Sequence, residues 1–490
     1  MNFSDSEIVA SILAKDGYTP TDTAEHADLV LLNTCSIREK AEYTVLQRIN
    51  EMNSIKSRNK GMKVGVLGCM AERMREDLLE KKKVVDLVVG PDAYRTLPEL
   101  LEQVGTGQKA VNVLLSREET YGEIEPVRLN SNGVTAFVTI MRGCDNMCAF
   151  CVVPFTRGRE RSREPKTIVD ECKELANIGY REVTLLGQNV DSFKFRSDDQ
   201  TIRKSENDAK PDQPANTVDF ADLLDMVAIA CPTLRIRYST SHPKDMTDKV
   251  LAVMAKYENI AKYIHLPVQS GSNKVLHRMN RGYTREWYLD RVASIRKHMP
   301  DCAISTDMIT GFCGETEEDH QQTLSLMEEV GYDMAYMFKY SERPKTLAAR
   351  KYADEVPEEV KGRRLQEVIN TQRTLSSARM ALYVGSSREV LIEGISKRSD
   401  EHMFGRISQG AVTIVPRTLN GSELALLRAS NNVVTDTTGF GEIELMPGDL
   451  VDVRIISSTA GALKAEVIGL RTARSLAQLK EKRTVGIAAE

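Results

Sequence analysis

Three cysteines stand within eight residues in GCDNMCAFC, residues 143–151, and the Arg-rich VVPFTRGRERSR follows at once. Cys144, Cys148 and Cys151 make a C-x3-C-x2-C spacing. In a long chain whose start carries no secretion-like apolar run, clustered thiols point to metal ligation rather than to a disulfide framework. A zinc site normally closes with four nitrogen or sulfur ligands, and neither a second close C-x2-C pair nor an H-x3-5-H follows. The C-x2-C-x2-C-x3-C run of two-cluster ferredoxins is also missing. Three thiolates suit an iron–sulfur cubane with one iron left open.

Further candidates lie at the ends of apolar runs. Cys35 closes VLLNTC and Cys69 closes VGVLGC, so both are expected at the carboxyl edge of one parallel sheet, where open α/β sheets place ligands. Two readings stand for this pair: ligands of a second cluster, or small buried residues. Gln188 and Asn189 end another run, Ser241 and His242 follow a third, and Gln269 follows a fourth. These polar groups converge on one rim, although Gln188 and Asn189 could cap a helix and His242 could be a packing histidine. Arg157, Arg159, Arg161 and Arg163 supply four guanidinium groups beside the cysteine loop, for RNA phosphate or as a solvated surface run. Cys172, Cys231, Cys302 and Cys313 have no ligand spacing and read as ordinary core or loop thiols. No residue is singled out as a general acid or base.

The elements that must hold these residues follow an α/β pattern. Residues 1–110 alternate short apolar runs with helical periodicity, as in an open parallel α/β domain. SDSE, Ser4–Glu7, reads as a capping box that starts a helix, with Gly17 placed to end it. This domain therefore begins with a helix, as though its first strand were truncated. Residues 130–365 continue through six strand–helix units, which predicts a partial (β/α)6 barrel with its active site at the carboxyl ends of the strands. The cysteine loop directly follows the first of these strands. A polar insertion at about 195–217 has almost no apolar content and is expected to be disordered. A long helical pattern ends the barrel, and residues 379–470 carry short strands between turn signals, a small β-barrel of the RNA-binding kind. Residues 471–490 read as a mobile tail.

Composition limits the function classes. At 490 residues the chain exceeds what one core usually organises. With 41% hydrophobic and 28% charged residues and no apolar stretch of membrane-spanning length, it is expected to be cytoplasmic, with no membrane partner. The net charge of −4 makes a polyanion site a matter of local basic patches rather than of a global field.

The C-x3-C-x2-C loop, with Phe150 before its last cysteine, resembles the radical S-adenosylmethionine (SAM) superfamily. Together with NTCSIREKAE, GCMAER, LLGQNVDSF, HLPVQSGSNKVLHRMNRGYTRE and TGFCGETEED, it resembles more narrowly the radical SAM methylthiotransferases, over residues 1 to about 470. CVVPFTRGRERSR and SERPKTLAARKYADEVP are most similar to the branch acting on N6-dimethylallyladenosine beside the anticodon of transfer RNA. The resemblance implies a 4Fe-4S cluster on Cys144, Cys148 and Cys151 whose open iron binds SAM, and a C-terminal TRAM domain. It also implies an auxiliary 4Fe-4S cluster on three cysteines, two of which match Cys35 and Cys69. The third belongs to a Gly-Cys-Gln-Met-Asn segment after a first strand, and the residues given begin MNFSDSE, so the auxiliary cluster is expected to be incomplete here. A flavodoxin or ferredoxin as electron donor, tRNA as partner and a monomeric state complete the expectations. Two alternatives accompany them: an aspartate methylthiotransferase acting on a ribosomal protein, and a non-catalytic iron–sulfur RNA-binding protein.

Overall fold

The computed structural model describes residues 1–35, 39–129, 131–196, 217–420, 425–428, 433–434 and 442–472. In its N-terminal part, strands Leu29–Thr34, Lys63–Gly68, Leu87–Val89 and Ala110–Asn112 lie side by side in chain order, all parallel. Side chains alternate across a strand, so Val64, Val66 and Val88 enter one apolar cluster while Leu67, Leu87 and Val89 enter the other. Helices cover both faces, as an all-parallel sheet requires.

The first helix spans Asn2–Lys15, with Met1 as N-cap and no side-chain capping bond. The capping box expected from SDSE is therefore absent, because tertiary partners take its side chains. Ser4 Oγ lies 2.8 Å from Thr139 Oγ1 of the next domain, and Glu7 pairs with Arg128 at 3.0 Å. Gly17 does end the helix: at φ +88° it lets its own N–H bond Ala14 O and the Tyr18 N–H bond Leu13 O, a Schellman closure.

The central domain has six parallel strands in two sheets. Glu182–Leu186 pairs with both Thr135–Thr139 and Arg235–Ser239, and Ala303–Thr310 pairs with both Tyr263–His265 and Met334–Lys339. A parallel bridge between Ile236 and Ile260 joins the two sheets into the partial barrel that the sequence predicts. Most of the polar insertion lies outside the described residues; at its base Lys194–Arg196 pairs antiparallel with Thr217–Asp219.

After the Glu358–Ala381 helix, five strands, Ser387–Ile395, His402–Ile407, Val412–Pro416, Leu450–Ser458 and Leu463–Thr472, close into a barrel through the pairing of Thr413 with Leu463. Closure removes the exposed edges an open sheet would carry. This barrel docks on the amino ends of the central strands. Arg235 reaches Glu389 and Arg406 O, and Arg237 reaches Ser408 O and Ile407 O, at 2.8–3.0 Å. The carboxyl ends are left to the cysteine loop. No helix among the described residues is long and apolar enough to cross a membrane, and the tail beyond residue 472 lies outside them.

Candidate functional site

The cysteine loop leaves the first barrel strand and is gathered at its base by a short antiparallel ribbon, Met141–Arg142 against Arg161–Ser162. Gly143 makes the gathering possible. Its φ is +75°, and a Cβ there would stand 2.0 Å from Arg159 O, so an L side chain is excluded twice. Within the loop, Cys144 N–H donates to Gly158 O, Cys151 N–H to Cys148 O, and Val153 N–H to the Cys151 sulfur at 3.5 Å. The Ala149 N–H bonds Met279 O at 2.8 Å, and Ala149 O accepts from the Ala348 N–H at the same distance, pinning the loop to the barrel rim.

The rim residues take different parts. Asn189 is buried and latched: its amide donates to Asp245 at 2.7 Å and its oxygen accepts the His242 N–H at 3.0 Å. It shapes the rim more than it faces the opening. The Gln188 amide is shielded from solvent and pairs with nothing among the described residues. Ser241 lies beside Asp191, whose carboxyl burial pushes up to about 8. Gln269 adopts φ +77° and bridges to the Ala303–Thr310 strand through Asp307 O and the Ile309 N–H. His242 is buried beside the loop, its Nε2 3.9 Å from the Cys148 sulfur. Burial, helped by Arg281 and Lys244, pushes its pKa down to about 2, so the imidazole is neutral.

Cys35 and Cys69 directly follow neighbouring strands in which Thr34 registers with Gly68, which brings both to the same carboxyl edge. Gly68, at φ +87°, allows the approach: a Cβ there would lie 2.6 Å from Thr34 O. This edge faces the cysteine loop. The Cys69–Met74 helix packs on the Val153–Thr156 helix that follows Cys151. Arg157 bridges the domains, its Nε 3.3 Å from the Cys69 sulfur and its Nη2 2.7 Å from Asp5.

The arginine run is not a solvent-facing strip. Arg157, Arg161 and Arg163 are buried, held respectively by Asp5, by both oxygens of Asp92 at 2.9 and 3.0 Å, and by Glu171. Carboxylates on both sides of the segment draw these three side chains inward. Of the four, Arg159 is open, with its side chain 75% exposed and loosely paired to Asp145. Residues not singled out from the sequence complete the seam. Arg142, immediately before the loop, meets Asp5 at 2.8 Å and Pro91 O at 2.9 Å, and lies 4.8 Å from the Tyr121 ring centroid. Arg281 Nη1 stands 3.1 Å from the Cys148 sulfur. The adjacency of Arg142 to the cysteines was a readable signal; the inward turn of Arg281 was not.

The side chains fit a cluster. Burial pushes the Cys144 and Cys151 thiols up to about 12, so they hold their protons until a metal ion displaces them. Among the described residues no group of three or more His, Cys, Asp or Glu is disposed to hold a single ion. A cubane gives each thiolate its own iron, and the loop, the cation aimed at Cys148 and the unpaired Gln188 amide suit such a group with a polar ligand beside it.

Comparison with known proteins agrees with this geometry. Residues 138–327 match the Radical SAM superfamily, residues 1–90 the Uncharacterized protein family UPF0004, and residues 381–425 the TRAM domain. The fold is similar to that of the radical S-adenosylmethionine methyltransferase TsrM from Kitasatospora setae, at TM-score 0.52 and 15% identity over 71% of this chain and 72% of that one. Curated relatives named tRNA-2-methylthio-N(6)-dimethylallyladenosine synthase are far nearer in sequence. That of Amoebophilus asiaticus is 54% identical over 95% of this chain and 90% of its own length. That of Christiangramia forsetii is 54% identical over 96% and 92%, and that of Bacteroides thetaiotaomicron 49% over 96% and 94%. With such identity sustained across all three domains, the chain belongs to the tRNA-2-methylthio-N(6)-dimethylallyladenosine synthase family of radical SAM methylthiotransferases.

Proposed function

We propose that this protein installs a methylthio group at C2 of N6-dimethylallyladenosine beside the anticodon of transfer RNA. One observation carries the reading: the Cys144–Cys151 loop and the Cys35 and Cys69 edge are clamped together by Arg157 and by the packing of the two short helices. A radical site and a sulfur-bearing site then serve one substrate atom. The chemistry supplied when the cofactors are bound is reductive cleavage of SAM to a radical that removes hydrogen from an aromatic carbon, which no side-chain base can deprotonate.

The chain's own residues hold and orient. Cys144, Cys148 and Cys151 would ligate the radical cluster, and Cys35 and Cys69 would contribute to an auxiliary 4Fe-4S cluster. Gln188, Ser241, His242 and Gln269 would line the SAM site, with Asn189 fixing the His242 turn. Arg159 would meet tRNA phosphate. A cavity of about 850 Å³ on the C-terminal barrel, lined among others by Lys397, Arg398, His402, Phe404 and Lys464, offers a second RNA surface of cations around one aromatic ring. The protein would act as a monomer and take electrons from a flavodoxin or ferredoxin.

The test is incubation of iron-reconstituted protein with SAM, a reductant and tRNA carrying N6-dimethylallyladenosine, followed by nucleoside mass spectrometry. In protein whose iron content shows both clusters in place, a methylthio adduct on that nucleoside is the expected result. An adduct on an aspartate of a ribosomal protein instead, or none with either substrate, would overturn the reading.

A further inference from the structure

We propose that Arg281 is a positioning residue that sets the reduction potential of the cluster held by Cys144, Cys148 and Cys151, with His242 as a second and weaker donor to the same sulfur. The inference rests on the reading of that loop as a cluster site. It begins from an imbalance of charge. Arg281 is 5% exposed, and its three nitrogens donate to the Tyr283 hydroxyl at 2.9 Å, to Pro267 O at 2.6 Å and to the Cys148 sulfur at 3.1 Å. Among the described residues none of its hydrogen-bond partners is a carboxylate. The other buried guanidinium groups near the loop differ, since Arg142, Arg157, Arg161 and Arg163 each have one.

A buried cation that lacks a carboxylate needs another anion, and the Cys148 thiolate is the group it is aimed at. The aim is fixed. The Tyr283 hydroxyl that accepts from Nε lies 3.1 Å from Val268 O, and Nη2 is tied to the backbone of the same segment. His242 approaches from the other side. Its Nδ1 accepts the Lys244 N–H at 3.3 Å, which leaves the proton on Nε2, 3.9 Å from the same sulfur. Tyr283 packs edge-on against this ring, with centroids 5.8 Å apart.

Hydrogen bonds to sulfur and local charge are two of the protein's means of setting a cluster's potential. The step affected is the uptake of one electron from a flavodoxin- or ferredoxin-class carrier, in which no bond forms or breaks and the site gains one negative charge. A fixed positive charge at 3.1 Å favours that gain and raises the potential. The His242 Nε2–H acts in the same direction with less effect, being 3.9 Å from the sulfur.

The experiment is a redox titration of the iron-loaded, full-length protein followed by electron paramagnetic resonance, with the signal that changes on adding SAM taken as this cluster. Arg281→Gln should lower the midpoint by at least the equivalent of a tenfold change in the reduction equilibrium, about 59 mV for one electron. Arg281→Lys, which keeps the charge, should restore most of the loss, and His242→Phe should give a smaller drop than Arg281→Gln. An unchanged midpoint in Arg281→Gln at wild-type iron content would overturn the proposal, even if SAM affinity fell. Should that variant not hold iron, an unchanged midpoint in His242→Phe would overturn it in its place. Absence of any SAM-responsive signal in the wild type would count against the cluster reading itself and not against Arg281.

Discussion

A side chain's surroundings decide what its residue type can do, and the loop cysteines and their arginines show it in opposite ways. Cys144 and Cys151 are poor thiolates on their own because burial raises their pKa, so ligation by metal and loss of the proton must occur together. Cys148→Ala should therefore leave the melting temperature of the metal-free protein within a few degrees of wild type. It should also abolish 5'-deoxyadenosine formation and remove about four irons, as measured by product chromatography and iron quantification. The arginine run divides by burial. Arg159 and Asp145 form an exposed pair worth about 0–1 kcal/mol, so Arg159→Ala should spare stability and reduce the salt slope of tRNA binding by about 0.7, measured by fluorescence titration. Arg161→Ala should do the reverse. It takes from Asp92 its bidentate partner and leaves it Arg142 Nε at 3.6 Å, at a cost of about 3 kcal/mol in denaturant unfolding. Glu160 adds a pH dependence: burial pushes its carboxyl up to about 7 from the usual 4.5. The folded state then binds this proton more tightly than the unfolded state, so stability is present below pH 4.5 and declines as pH rises towards 7. Glu160→Gln should stabilise by about 1 kcal/mol near pH 8 and by nothing near pH 4, read from unfolding curves at the two values.

Elements bring these residues together through two glycines that admit no side chain. Gly68 lets the Cys69 strand end close on Thr34, and Gly143 lets the ribbon fold back on Arg159. Gly143→Ala should destabilise by more than about 1 kcal/mol. It should also cost the loop its iron although all three cysteines remain, a combination that calorimetry and iron quantification distinguish from simple unfolding. The elements themselves were largely legible from the sequence. The central strands match the six strand–helix units expected over 130–365 and the C-terminal barrel the short strands expected over 379–470, because a strand buried on one or both faces writes its period directly into the chain. The carboxyl-edge positions of Cys35 and Cys69 follow from the same logic. The SDSE capping box and the solvated-run reading of Arg157, Arg161 and Arg163 fail for a common reason. Both were judged locally, while Ser4, Glu7, Arg157, Arg161 and Arg163 are spent on partners far along the chain, which no local pattern announces. Arg281 escaped notice in the same way, since its meaning lies in lacking a carboxylate rather than in any motif.

At the scale of the molecule, the C-terminal barrel holds the amino ends of the central strands and the N-terminal sheet closes over their carboxyl ends, so tRNA contacts at Lys397 and Arg398 would lie at the opposite end from the cysteines. An RNA bound at both must reach along the barrel, which suits a stem and loop better than a mononucleotide. One residue ties two arginines of the central domain into this closure. Asp5, fully buried, accepts from Arg142 of the central domain at 2.8 Å and from Arg157 at 2.7 Å. Burial alone would raise its carboxyl, but the two guanidinium groups hold it below the usual value of 3.8, so this tie is complete above that value and is lost only as pH falls below it. Asp5→Ala takes the carboxylate from Arg157 and leaves Arg142 only Asp92, 3.6 Å away, a loss of about 3 kcal/mol concentrated at the domain seam. The cysteine loop, pinned separately through Ala149 to Met279 O and Ala348, should keep its cluster. The variant is therefore expected to cleave SAM to 5'-deoxyadenosine at a rate near wild type while methylthio transfer to tRNA falls at least tenfold, with the two products quantified in one reaction by mass spectrometry. Parallel loss of both products at wild-type iron content would show that the seam supports the radical site itself, and equal retention of both would show that closure of the two domains is not what couples them.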